Sequence, residues 1–180
     1  MNATKAFTGG LAGGLVMTLA LMGARKFGLT DLSLALLLGS MVTASGGIAV
    51  WWLGFFIHLM LSGIVGWLYG AAFEKITHRA GVRMGALLSI FHVTAAGILL
   101  GILPVMHPLL ASPPQPISKD FLLAPGFFAL NYGLTTAIVF FILHLVYGMI
   151  VGAVYKPAAR HRWMYRRQPS VEHARKRKAA

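Results

Sequence analysis

Four histidines, His58, His92, His144 and His107, lie in or beside long apolar stretches that carry no charged residue. The first three fall within about three residues of the centres of stretches marked out by Trp52 and Tyr69, by Arg83 and Pro104, and by Tyr132 and Tyr155, or ~5 Å along a helix axis. An ionisable side chain at such depth must be paired or carry a function, because hydrocarbon offers it no water. Three kinds of chemistry are open to these imidazoles. His58 and His144 can serve as the two axial ligands of a b-type haem. Together with His92, a possible polar site within the membrane, they can line a proton or solute path. A bare metal ion is less well served, since no Asp or Glu lies inside an apolar stretch to complete its shell. The least demanding role is a hydrogen bond from helix to helix with no cofactor, and that is the leading expectation.

Enzymatic chemistry finds little to work with. The four carboxylates, Asp31, Glu74, Asp120 and Glu172, all lie outside the apolar stretches, and the chain has no cysteine. Gly-x-Ser-x-Gly, His-Glu-x-x-His and phosphate-binding Gly-Lys-Ser/Thr patterns are all missing, so the chain is expected not to be an enzyme. His107, Lys119 and Asp120 could form a small outer site, although a hydrated loop with an incidental ion pair is the simpler account.

The elements that position these residues follow from charge and hydropathy. Of 180 residues, 57% are apolar and 11% charged, against about a quarter charged in a soluble domain, and the mean hydropathy is +0.73. No Asp, Glu, Lys or Arg occurs in 6–24, 32–73, 84–118 or 121–155, and each run can supply the ~20 apolar residues of a bilayer crossing. The fold expected is an all-α membrane protein with four spans, 6–24, 49–73, 84–104 and 130–155, forming one transmembrane domain over 1–155. The first span is rich in glycine (Gly9, Gly10, Gly13, Gly14, Gly23), which suits close helix packing and reads as a retained helix rather than a cleaved signal. Residues 32–41 are too short to cross and predict an interfacial or re-entrant helix capped by Thr30 or Asp31, followed by a hinge at Ser45, Gly46 and Gly47. Trp51 and Trp52 at one end of the second span, with Trp67 and Tyr69 near the other, read as interfacial belts. Six of the eight prolines fall between Pro104 and Pro125, which predicts an extended connection there.

Four spans place Lys5, the turn with Lys75, Arg79 and Arg83, and the basic tail on one side, thirteen basic residues in all, against Arg25, Lys26 and Lys119 on the other. Positive charge marks the cytoplasmic side, so both termini are expected there. Reporter fusions after Tyr155 and within 74–83 should therefore both read cytoplasmic, and fusions within 108–119 should read external; opposite signals from the first two would exclude four spans. The tail, 156–180, carries nine basic residues and one acidic one and is expected to be disordered. Arg160, Arg162, Trp163, Tyr165, Arg166 and Arg167 form a cluster suited to anionic lipid headgroups, at about 1 kcal/mol per basic residue near the surface. The net charge of +12 is ascribed to that contact and to topology, and no nucleic-acid partner is expected.

An offset of 86 residues superimposes 55–69 on 141–155 with seven identities in fifteen, among them His58/His144, Gly66/Gly152 and Tyr69/Tyr155. A duplication of two halves, about 1–80 and 81–155, would build two tandem helical hairpins related by a pseudo-twofold axis along the membrane normal. Within each copy His58, Ser62, Gly66 and Tyr69, or His144, Gly148, Gly152 and Tyr155, sit at i, i+4, i+8 and i+11 and share one helix face. Small residues four apart allow backbones to approach, so these stripes are the expected packing seams. Gly54 lies off them, so a leucine there is expected to weaken the bundle much less than one at Gly66 or Gly152.

With the glycine-rich segment 9–18 and the closing segment 144–155, His-Leu-Val-Tyr-Gly-Met-Ile-Val-Gly-Ala-Val-Tyr, the chain resembles uncharacterised four-helix bacterial inner-membrane proteins of the domain-of-unknown-function type. The resemblance covers the spans and not the tail. It implies a bacterial inner membrane and no particular activity, so the expected role is a structural or accessory component of a membrane assembly, beside other subunits or further copies of itself.

Overall fold

A computed structural model describes residues 1–110 and 122–155. Lys119, Asp120, most of the proline-rich connection and the tail cluster from Arg160 to Arg167 lie outside them. The described chain forms α1 (Ala3–Lys26), α2 (Leu34–Thr43), α3 (Ile48–Lys75), α4 (Val82–Met106), a 3-10 turn (Phe127–Tyr132) and α5 (Leu134–Val154). α1, α3, α4 and α5 are long and apolar enough to cross a membrane, which marks an integral, multi-pass membrane protein of all-α class.

Local chemistry sets the ends of the helices. The Asn2 side chain accepts from the backbone N–H of Lys5 at the start of α1. α2 is capped by Ser33, whose hydroxyl accepts from Leu36 N–H, and not by Thr30 or Asp31. Thr30 bonds to Leu32 N–H just ahead of that cap. The last span begins at Leu134 rather than near 130, because Gly133 has a φ of +93° and Phe128 and Ala129 are left-handed, so the chain turns before it can enter a helix.

α1 packs between α3 and α5, and α5 carries α4 on its other side. α3 and α4 thus stand at the two ends of a row and meet chiefly through side chains. The α3 stripe packs against α1 and the α5 stripe against α4. A Cβ on Gly66 would strike the Ala6 carbonyl and Gly10, and one on Gly10 the Ser62 carbonyl; in the second pair Gly148 and Gly152 bear on Gly85, Gly81 and Ser89. Backbone contact of this kind is the means by which helices associate in lipid, where apolar burial gives no net drive.

α2 lies along the N-terminal half of α3, with Gly39 against the Val50 carbonyl and Gly54 against the Ala35 carbonyl. Gly54 is therefore a packing residue on a par with Gly66 and Gly152, contrary to the lesser weight expected of it. The 3-10 turn sets the rings of Phe127 and Phe128 onto Gly101 and Gly97 of α4. At the other end, Tyr155 closes the bundle: its hydroxyl donates to Glu74 Oε1 at 2.7 Å and lies 3.3 Å from the Asn2 backbone N–H. Tyr69 is 5% exposed, beside Phe73, Tyr147 and Tyr155 in the core. It belongs to the packing face and not to an interfacial belt, since Trp67, two residues away on another face, is the exposed one.

Candidate functional site

The three mid-span histidines come together. His92 and His144 rings meet edge to face with centroids 4.8 Å apart, and Tyr147 lies 5.1 Å from His92. Tyr69 joins the group through its hydroxyl, 3.4 Å from His92 Nδ1. Tyr147 donates its hydroxyl to the Ser62 carbonyl at 2.5 Å, and its ring fills the notch left by Gly13. Tyr69 and Tyr147 thereby lock the terminal side of the histidine cluster.

His58 and His144 face open space instead, lining two adjoining cavities of about 50 and 320 Å³. The larger opens sideways between α3 and α4, past Leu61, Leu99 and Met106, each exposed on the outer surface of the bundle. The smaller runs toward α2 and has Arg25 and Ser33 at its far end. Trp51 and Phe140 give aromatic walls, and the Phe140 ring lies against His144 with centroids 4.2 Å apart.

Hydrogen bonding fixes the protons of both rings. His144 Nδ1 is 2.7 Å from the Phe140 carbonyl. A carbonyl only accepts, so Nδ1 carries the hydrogen and Nε2 of the neutral ring keeps a lone pair. His58 Nδ1 is 2.9 Å from Thr18 Oγ1, whose single hydrogen is placed to bond the Gly14 carbonyl at 3.0 Å. His58 Nδ1 is then the donor as well. Neither Nε2 has a partner among the described residues, where no buried side-chain nitrogen or oxygen is left unsatisfied, so both reach the cavity surface.

His107 lies apart from this site, fully buried between α2 and the end of α4. Its Nε2–H points at the Leu37 carbonyl (3.0 Å) and Ser40 Oγ (3.1 Å), and its Nδ1 accepts from Leu109 N–H at 3.2 Å. It is a fastening. Ser62, Gly66, Gly148 and Gly152 are helix contacts, and Tyr69 and Tyr155 contribute hydroxyl bonds as well as packing. Among the described residues no three His, Cys, Asp or Glu side chains gather as a metal shell.

Sequence reasoning passed over Thr18, Phe140 and Tyr147. Thr18 had a usable signal, because Gly10, Gly14 and Thr18 continue at i, i+4 and i+8 the spacing that identified the other stripes. Comparison with family models, with curated proteins and with solved structures finds no match.

Proposed function

We propose that this protein is a non-catalytic accessory component of a bacterial inner-membrane assembly, with both termini cytoplasmic, whose bundle holds a small membrane-soluble molecule. The observation that supports this reading is the cavity between α3 and α4, apolar in its walls, open toward lipid and carrying His58 and His144 at mid-span. The closely seated α1–α3 and α4–α5 pairs supply the rigid frame around it.

A diazirine-bearing fatty alcohol in proteoliposomes tests the reading. Labelling of Leu61, Leu99 and Leu100 is expected to saturate with probe concentration, and Ala96→Phe, which puts a ring into the cavity, is expected to remove the saturable part. Labelling that only rises in proportion to the probe would reduce the cavity to ordinary lipid-facing surface.

The two unpartnered Nε2 atoms also favour a second reading, haem b held by His58 and His144. Imidazoles that bond through Nδ1 and present Nε2 have the arrangement of metal-ligating histidines with an oriented outer partner. A Soret band in the purified protein that disappears in both His58→Gln and His144→Gln would establish that reading in place of the first.

A further inference from the structure

Resting on the reading that the cavity holds a membrane-soluble molecule, we propose that its ligand is a hydroquinone with an alkyl or isoprenoid chain, bound in the reduced and not the oxidised form. Around its two histidines the cavity offers acceptors. His58 and His144 each spend their Nδ1–H inside the protein and present a bare Nε2 lone pair. The nearby hydroxyls are already committed: Thr18 to the Gly14 carbonyl, and Thr136 to Thr30 at 2.7 Å and the Tyr132 carbonyl at 2.9 Å. The donors in the lining, the Ser33 hydroxyl hydrogen that the α2 cap does not use, the Trp51 indole N–H and Arg25, stand toward α2 and away from the histidines.

A complementary head group must therefore bring hydrogen-bond donors into an apolar space, because a buried polar atom without a partner is expensive. It should also be flat, since Trp51, Phe140 and the two imidazoles surround it with ring faces and edges. A hydroquinone brings two phenolic O–H donors on a flat ring, one for each nitrogen. Its chain has a path out between α3 and α4 over Leu99 and Met106. The corresponding quinone has two acceptor oxygens in the same places and would set lone pair against lone pair.

The redox preference is the test. Decylubiquinol and decylubiquinone, added anaerobically at neutral pH to the full chain in nanodiscs, can be followed by quenching of tryptophan fluorescence, with Trp51 in the cavity wall. The reduced probe is expected to bind at least about tenfold more tightly than the oxidised one, a difference that one well-made hydrogen bond can supply. His144→Phe should abolish the preference. His144→Gln should shrink it by raising affinity for the quinone, because an amide brings a donor as well as an acceptor. Equal affinity for both forms in the wild-type protein would overturn the proposal, as would a tightly held haem occupying both histidines. If the fatty alcohol still labels the cavity saturably while quinol shows no advantage, the ligand class is wrong and the cavity reading stands; if saturable labelling is absent too, both fall.

Discussion

Gly54→Leu is expected to destabilise the bundle as severely as Gly66→Leu or Gly148→Leu, by about 3 kcal/mol or more, with Gly23→Leu nearly neutral. At the first three positions a Cβ would meet backbone: the Ala35 carbonyl for Gly54, the Ala6 carbonyl for Gly66 and the Gly85 carbonyl for Gly148. Backbone held in a helix cannot rotate away as a side chain can, so relief requires two helices to separate along their whole contact. In lipid that loses the close packing that drives association, and no competing hydrophobic drive restores it. Gly23 has nothing within reach of a Cβ. Thermal melting of the four variants in one detergent checks the ranking. If Gly54→Leu melts with Gly23→Leu rather than with Gly148→Leu, α2 does not rest on α3 through Ala35 and Gly39.

Gly54 also shows where the sequence was legible and where it was not. The four spans could be read because hydrocarbon excludes charge, and a charge-free run of span length is rare outside a membrane helix. The stripes could be read because a helix repeats its face every three to four residues. Gly54 could not, since its partner is the short α2, and ten apolar residues carry no sign of which span they will lie against. Tyr69 admitted two readings, an interfacial belt by its depth and a packing stripe by its face, and its burial agrees with the second. Position along a span suggests depth, and only the angular position around the helix decides whether an aromatic meets lipid or core.

The histidine pair divides in the same way. The offset of 86 residues places His58 and His144 at matching positions, and both line one cavity. Their Nδ1 partners differ, a threonine hydroxyl across the α1–α3 contact for one and a carbonyl of its own helix for the other. Those partners lie on surfaces that the offset does not match, so the free Nε2 could not be inferred from the stripes. It required knowing which nitrogen the protein had already used.

His107→Phe is expected to cost about 1 to 3 kcal/mol and to loosen α2 specifically, whereas His144→Phe should leave the fold close to wild-type stability. His107 connects three separate points: the Leu37 carbonyl and Ser40 hydroxyl on α2 and the Leu109 N–H beyond the end of α4. Phenylalanine preserves most of the volume and deletes every one of these bonds, and the Leu109 N–H is left without its acceptor. His144, by contrast, bonds inside the protein only to a carbonyl four residues back on its own helix, and its second nitrogen faces the cavity. Hydrogen exchange gives the readout: amides of 34–43 should lose protection in His107→Phe while those of α5 keep it, and Ser40→Ala should produce a smaller effect in the same segment, since it removes only one of two acceptors shared by Nε2–H. Unchanged protection of α2 in His107→Phe, or a large global loss in His144→Phe, would reverse the assignment of these roles. The expected pattern separates the histidine that fastens the fold from those whose unspent nitrogens remain available to a ligand.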